Sequence, residues 1–478
     1  MNASVLPRLA TRVGPRAAAY LVAGIIALSF AHDLMRKPIQ VSDSLQELID
    51  VQQSPSLWAT FVAHSPRGPF LRPLKQVQTK VLFDMAAGHY WLAFRGFHAL
   101  LIAGALFLFV RALRVQTWTD CAAAVFALTV FTGLHTFRGL VREAFPINLY
   151  LESVLGCLVV LNLAQSRGSM WTDAAAAATF VVASLTVESG VLVWVVVVAA
   201  WALGMRGVTW RGVSAVTLLL IAYMGTRVAL SITTPGIDVG RDSGFGIRML
   251  ETGELAARFG ANPSWFYVYN AGTSILSVLF SDPDRGVFNT VRTWLQGDIP
   301  ARLYLPVVTS AVTTALLVFV VVARWRGRAP EMPASHTQLL SIFGVVLIAN
   351  AVVSYAYTKH EIISVAGAFY AFATYVAVRH AIGYQARAAG RPALCLLLGA
   401  LACAWAFRSA GVHHMLQTQA FRERIEWARL DPDRIAERGY PSDARARALT
   451  AQLRRDALDL RIANTNETPA WADDWWGE

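Results

Sequence analysis

The segment RAAAYLVAGIIALSFAHDLMRKPIQVSD, from Arg16 to Asp43, decides the fold class. It opens with an apolar run, Ala17 to Ala31, that follows three arginines within the first sixteen residues. The run begins like a signal peptide, but the residues from His32 to Leu34 offer no small-x-small cleavage site. We therefore expect an uncleaved first membrane span with a cytoplasmic amino end, followed by a polar loop on the outer side.

The composition of the 478 residues is that of a membrane protein. Hydrophobic residues make up 55% and charged residues only 15%, whereas roughly a quarter of an average soluble domain is charged. The net charge of +11 does not indicate nucleic-acid binding, because the basic residues punctuate apolar segments and form no continuous basic face. They are instead typical of cytoplasmic loops that obey the positive-inside rule.

The apolar segments predict an all-α polytopic membrane protein with about eleven spans. The long run from Asp173 to Leu203 exceeds the roughly 20 residues that one span needs, so we expect two short spans with Glu188 at the outer turn. Ser264 to Phe280 is predicted to be a re-entrant or interfacial helix, since counting it as a crossing would place Arg324 and Arg326 outside. The predicted spans cover 17–31, 91–110, 120–135, 147–164, two within 173–203, 213–230, 303–322, 339–355, 362–378 and 392–410.

This map divides the chain into a transmembrane domain, 1–410, and an extracytoplasmic helical tail, 411–478. The first outer loop, 32–90, should contain short surface helices between Asp43 and His64, where apolar residues recur at helical spacing. Thr136 to Pro146 should form a short outer loop, and 231–300 a second long one.

The chain lacks the motifs of several common membrane enzymes and pumps. It contains no Walker loop, HExxH, GxSxG or CxxC pattern, so ATP-driven transport, zinc-protease chemistry and serine hydrolysis lack their residues.

Four other features carry a resemblance. They are a first helix with acids close behind it (Asp33 and Asp43), the run GPFLRPL (68–74) followed by YWLAFRGFHAL (90–100), the segment ASLTVESGV (183–191), and the late outer turn YAYTKHE (355–361). Over about the first 400 residues the layout resembles the GT-C superfamily of membrane glycosyltransferases, which includes protein O-mannosyltransferases of family 39. The chain departs from many relatives in having Ser44, rather than a second acid, after Asp43.

The resemblance implies inverting transfer of a sugar from a polyprenyl-phosphate-linked donor to a glycan, lipid or protein acceptor. The reaction would take place at the extracytoplasmic face of the cytoplasmic (inner) membrane. Such chemistry needs a carboxylate to accept the proton of the attacking hydroxyl, and cations to neutralise the departing lipid phosphate. Asp43 is the first candidate for the base and Asp33 the second.

The phosphate and acceptor candidates come from several segments. Arg72, Lys75 and Arg95 are expected to bind the lipid phosphate, with Lys359 and His360 approaching from the opposite side. Glu188 is expected to orient Arg95 or the acceptor. No cofactor is assigned. A divalent cation that bridges Asp43 and another acid is kept as an alternative.

Each assignment has a structural alternative. Asp43 would equally serve as a helix N-cap, with Gln46 completing a capping box. Arg72 would anchor a turn at the headgroups, Arg95 and His98 would snorkel to the membrane surface, and Glu188 would face water.

The aromatic segments 265–269 and 471–476 are typical of membrane-interface belts or of sugar platforms.

Two other function classes stay open. A transporter of an amphipathic substrate would need charges along a path through several spans, whereas here they gather at the outer ends. A non-catalytic subunit of envelope glycan assembly would tolerate loss of the Asp43 carboxylate and would depend on the tail from Gly411 to Glu478.

Overall fold

Helices make up nearly all of the regular structure. The computed structural model describes residues 14–64, 71–142, 144, 146–233, 242–245, 247–250, 253–260, 262–280, 287–297, 301–327, 332–385, 391–464 and 470–476. The first three residues of the GPFLRPL run, 68–70, lie outside these ranges. The helices are α1 (Pro15–Leu34), α2 (Asp43–Gln53), α3 (Leu57–His64), α4 (Pro73–Ala86), α5 (Tyr90–Leu113), α6 (Trp118–Gly133), α7 (His135–Arg142), α8 (Leu149–Ala164), α9 (Met170–Thr186), α10 (Leu192–Ala202), α11 (Trp210–Thr233), α12 (Glu254–Phe259), α13 (Ser264–Phe280), α14 (Val287–Leu295), α15 (Ala301–Trp325), α16 (Ala334–Val353), α17 (Ser364–Gln385), α18 (Arg391–Arg429), α19 (Ala444–Asp459) and α20 (Ala470–Trp476).

Several of these helices have the length and composition of membrane spans. Among the described residues, seven helices are long and apolar enough to cross a bilayer, or eight if α6 and α7, which meet at a 60° bend, form one span. The seven are α1, α5, α11, α15, α16, α17 and α18. The protein is therefore an all-α multi-pass membrane protein. Of the eleven predicted spans, seven overlap these helices and one, 120–135, overlaps α6. The other three overlap shorter apolar segments, namely α8, α9 and residues 188–202.

Helix α1 illustrates how the bundle packs. Ala19, Ala23 and Phe30 are fully buried on one face, which contacts α5, while Leu21 and Leu28 on the opposite face are 60% and 71% exposed. Small residues on the packed face let the helices approach closely, and the large apolar residues on the other face suit a lipid environment. The central core lies where α6, α8, α16 and α17 pack together.

The long apolar run 173–203 is broken at Glu188, as predicted. Helix α9 ends at Thr186, a 3₁₀ turn covers Glu188–Val191, and α10 begins at Leu192. A Cβ at Gly190 would lie 2.2 Å from the backbone of Ala183, so only glycine lets the chain fold back this tightly.

Part of the predicted short outer loop is helical instead. Helix α7 covers His135–Arg142, where a loop was expected from Thr136 onward. Phe137, Leu140 and Val141 are fully buried, and packing of this apolar face against α6 and α17 stabilises a helix that is too short to persist alone.

The first loop and the tail form a second hydrophobic core. The predicted surface helices are present as α2 and α3, and α4 follows them. Leu45 and Leu48 of α2 are buried in one cluster with Leu449 and Leu453 of α19. The indole N–H of Trp427 donates to the carbonyl of Ile39 at 2.5 Å.

Helix α18 runs through the predicted domain boundary at residue 411. It continues to Arg429, and its 39 residues span about 58 Å, roughly twice the hydrocarbon thickness of a bilayer. The helix therefore carries the tail well beyond the membrane core.

A small hairpin packs on the late turn that precedes α17. Strands β1 (Asp242–Gly244) and β2 (Ile247–Leu250) are antiparallel, and Ser243 exchanges backbone hydrogen bonds with Ala356 and Thr358. The side-chain amide of Asn270, on α13, donates to the carbonyls of Ser243 at 3.1 Å and Tyr355 at 2.9 Å. These bonds hold α13 and the hairpin against the turn.

Candidate functional site

Arg72 and Glu188 form a partly buried ion pair at one end of the helical bundle. Arg72 precedes Pro73, the first residue of α4, and Glu188 opens the 3₁₀ turn between α9 and α10. The Nε atom of Arg72 donates to both carboxylate oxygens of Glu188 at 3.0 Å, and the two side chains are 23% and 19% exposed. Burial alone would lower the pKa of Arg72, but the Glu188 carboxylate outweighs it and raises that pKa above its usual value.

Further polar side chains surround this pair. Tyr150 of α8 lies within electrostatic reach of Arg72, Glu188 and Glu361. Arg227 of α11 also acts on the Glu188 carboxylate. Segments far apart in sequence therefore place charges of both signs at one end of the bundle.

A second ion pair links α2 to α4. The Lys75 ammonium contacts the Glu47 carboxylate, and both side chains are largely buried. The charge of Arg72 also acts on Glu47, so the two pairs belong to one site. We name Glu47, Arg72, Lys75, Tyr150 and Glu188 the Arg72 site.

Asp43 lies at the exposed edge of this site. It is the first residue of α2 and lies one helical turn before Glu47. The charge of Asp43 acts on the Glu47 carboxylate. The prediction that Asp43 is the N-cap is wrong, because Ser42 occupies that position. Gln46 completes no capping box and instead donates to Asp50 at 2.9 Å.

The turn that contains Lys359 and His360 lies near the Arg72 site, since Glu361 acts electrostatically on Tyr150. The Lys359 ammonium lies 5.1 Å from the ring centre of Tyr357 and 4.0 Å from Glu361, and its side chain is 49% exposed. His360 points inward, with its ring 5.8 Å from that of His135. Lys359 is thus on the solvent-exposed side of the turn, and His360 is on the side that packs against the protein.

Asp33, the second candidate base, contacts a different set of residues. Its carboxylate accepts from the Nδ1 atom of His413 at 2.6 Å and lies 3.2 Å from His32. The ring of His413 stacks on Phe30 at 4.1 Å. Asp33 therefore joins α1 to α18 and does not contact the Arg72 site.

Arg95 is also placed elsewhere. It is 1% exposed, donates to the carbonyl of Lys37 at 2.9 Å and to that of Pro38, and lies 4.0 Å from Glu423. His98 is equally buried and contacts Asn148 at 2.9 Å.

Three expectations about these residues are wrong. Arg95 and His98 do not snorkel to the surface, because both are enclosed by protein. Glu188 does not orient Arg95 and does not simply face water, since it binds Arg72.

The sequence analysis assigned no role in the site to Glu47, Tyr150 or Glu361. The signal for Glu47 was its place four residues after Asp43, which puts both carboxylates on one side of a helix. No local signal marks Tyr150, because its neighbours come from distant segments. Among the described residues, no group of three His, Cys, Asp or Glu side chains is arranged to hold a metal ion.

Comparison with known proteins identified no relative of this chain. No protein-family model, curated protein or solved structure matches the chain.

Proposed function

We propose that this chain is a membrane glycosyltransferase that moves a sugar from a polyprenyl-phosphate-linked donor to an acceptor hydroxyl at the outer face of the cytoplasmic membrane. The observation that carries the proposal is the Arg72 site. It joins two ion pairs, Arg72 with Glu188 and Lys75 with Glu47, at one end of a bundle of membrane-spanning helices. A lipid phosphate at a membrane surface requires cations held in such a position.

The reaction follows from the chemistry of the donor. The acceptor oxygen attacks the anomeric carbon, and the bond between that carbon and the phosphate oxygen breaks. The electron pair leaves with the polyprenyl phosphate, and the hydroxyl proton passes to a carboxylate. Attack opposite the leaving group inverts the anomeric centre.

The cations of the site have distinct roles in this scheme. Glu188 is a positioning residue, because its two contacts with Arg72 Nε fix the plane of the guanidinium. Glu47 holds Lys75 in the same way. Lys359 is the more exposed cation and approaches the departing phosphate from the opposite wall.

Asp43 is the proposed base. Its carboxylate is exposed to water, where an acceptor hydroxyl enters, and lies one helical turn from the Arg72 site. Asp33 is the weaker candidate, since its carboxylate is already bound to His413.

The experiment is a donor assay with the full chain reconstituted in lipid vesicles. Polyprenyl-phosphate-linked mannose, glucose, galactose and arabinose are supplied one at a time with a mixture of glycan and peptide acceptors. Release of polyprenyl phosphate is then measured. We expect at least one donor to be consumed, and Arg72→Gln to slow its consumption at least tenfold, whereas Arg429→Gln leaves the rate unchanged. Equal rates for wild type and Arg72→Gln would contradict the role of this site, and no turnover of any donor would contradict the proposal.

One observation favours a second function, that of a non-catalytic assembly subunit. The Asp43 side chain acts electrostatically on Tyr440 of the tail, and the tail shares a buried core with α2. A subunit would give no turnover in the vesicle assay and would keep its cellular role with asparagine at position 43.

A further inference from the structure

A cavity lies at the bend between α6 and α7. Its volume is about 40 Å³, roughly three times the least that one water molecule needs. The space suits a small tetrahedral group. The lining residues come from α6, the α6–α7 bend, α7, α15, α18 and α20: Gly133, Leu134, His135, Arg138, Leu305, Pro306, Arg408, Gly411, Val412, Trp475 and Trp476.

Two arginines, Arg138 and Arg408, line the cavity, and none of the described residues that line it is acidic. Arg408 is only 6% exposed, and its Nη1 donates to Thr309 Oγ1 at 2.7 Å, Ser310 Oγ at 2.9 Å and the carbonyl of Pro306 at 3.1 Å. The guanidinium is therefore fixed in place before any ligand binds.

Two tryptophans of α20 close the cavity. The ring of Trp476 packs against Phe407 at 4.7 Å and His414 at 5.6 Å. A Cβ at position 411 would lie 2.6 Å from Trp476 Cδ1, so Gly411 provides the room for this side chain.

The indole N–H of Trp476 is a buried donor that has no acceptor among the described residues. Tryptophan can only donate, and a buried donor without an acceptor is costly. The N–H thus indicates a ligand that supplies an oxygen.

We propose that this cavity binds the phosphate headgroup of a membrane lipid between Arg138, Arg408 and the indole N–H of Trp476. A phosphate monoester offers several acceptor oxygens and a negative charge, which match two guanidinium groups and a neutral donor. The inference is independent of the proposed function, since it concerns binding and not transfer.

The walls favour a lipid over free phosphate. Tyr304 and Val308 on α15 adjoin the lining residues Leu305 and Pro306 and are 52% and 54% exposed. In a bilayer this surface faces acyl chains, so a lipid whose headgroup occupies the cavity can lay its tail along α15. Trp475 at the rim is 39% exposed, as is typical of tryptophan at a membrane interface.

The test is native mass spectrometry of the full chain released from nanodiscs that contain dioleoyl phosphatidic acid or dioleoylglycerol. Inorganic phosphate is supplied in the buffer as the third probe. We expect retention of phosphatidic acid, weaker retention of dioleoylglycerol and no retention of inorganic phosphate. Equal retention of the two lipids, or displacement of phosphatidic acid by millimolar inorganic phosphate, would overturn the assignment.

Variants locate the bound lipid. Arg408→Gln and Arg138→Gln should each weaken phosphatidic acid binding roughly ten- to hundredfold, because each removes charge-assisted bonds. Trp476→Phe keeps an aromatic ring and removes only the donor, so it should weaken binding several-fold even if Arg408→Gln fails to fold. Arg429→Gln, at the exposed end of α18, is the matched control and should bind as wild type does. Wild-type binding by Trp476→Phe and Arg138→Gln together would overturn the proposal.

Discussion

At the scale of single residues, Glu188 shows what a sequence reveals about a charged side chain and what it does not. Its place at a break in an apolar run was predictable, because a 31-residue run is too long for one span. Its partner was not, because Arg72 lies 116 residues earlier and only the tertiary fold brings the two together. For Arg95 the predicted position itself was wrong. It lies near the edge of a predicted span and was expected to reach the membrane surface, but it is fully enclosed by protein.

Loss of the Arg72 guanidinium should destabilise the fold. Arg72→Gln leaves Glu188 without its bidentate partner in a partly buried position, which should cost about 2 kcal/mol. The measurement is unfolding in mixed micelles followed by circular dichroism. Arg258→Gln is the control, because its pair with Glu254 is a single 3.2 Å contact on a helix surface and Arg258 is 47% exposed. That variant should lose less than about 0.5 kcal/mol, and equal losses would show that the Arg72 pair has no special structural role.

At the scale of helices, the apolar runs predicted where the long helices lie but not where they end. The boundary expected near Gly411 falls inside α18, because no proline follows closely and Gly411 alone does not end the helix. Helix α7 was predicted as a loop because the segment carries Arg138 and Arg142, whereas the fold buries six of its residues. Both errors arise where packing, and not local sequence, sets the structure.

The cap of α19 should give the tail an acid-sensitive stability. Asp443 Oδ1 accepts from the backbone N–H groups of Ala446 and Arg445, and these bonds lower the pKa of Asp443. A lowered pKa in the folded state stabilises the cap above the unfolded value near 4 and loses that contribution as pH falls through the folded value.

Asp443→Asn keeps a cap that does not titrate, so its α19 should lose less helicity than wild type between about pH 4 and pH 2. Asp443→Ala should fray the helix at all pH values. Circular dichroism across this range is the measurement, and identical acid profiles for wild type and Asp443→Asn would contradict the role of the cap.

At the scale of the whole molecule, two separate hydrophobic cores stabilise different parts of the chain. The larger core holds the spans, and the smaller one joins the first loop to the tail through Leu45, Trp427 and Leu453. The sequence predicted a helical membrane protein with helices in both of these segments. It did not predict that they pack on each other, since they lie almost 400 residues apart.

The smaller core should hold the tail in place. Leu453→Ala removes a side chain that is 2% exposed and should cost about 2–5 kcal/mol in tail docking. Limited proteolysis after residue 429 is the measurement, with faster cleavage expected. Leu458→Ala, at a position that is only partly buried, is the control. Unchanged cleavage of Leu453→Ala would show that the tail is held in another way.

The predicted eleven-span topology can be tested by cysteine labelling. In a chain whose four native cysteines are replaced by alanine, a cysteine at Trp58 should react with an impermeant thiol reagent added outside. A cysteine at Arg326 should react only after the membrane is opened. Both positions are exposed. Labelling of position 326 from outside would contradict the predicted count.

The central claim is that the carboxylate at the edge of the Arg72 site accepts the proton during sugar transfer. The most direct measurement compares Asp43→Asn with Asp50→Asn, which lies on the same helix two turns later and interacts with Gln46. The comparison uses the donor that the reconstituted wild-type chain consumes. We expect Asp43→Asn to slow release of polyprenyl phosphate at least a hundredfold while Asp50→Asn stays within about twofold of wild type. Equal rates for the two variants would contradict the claim.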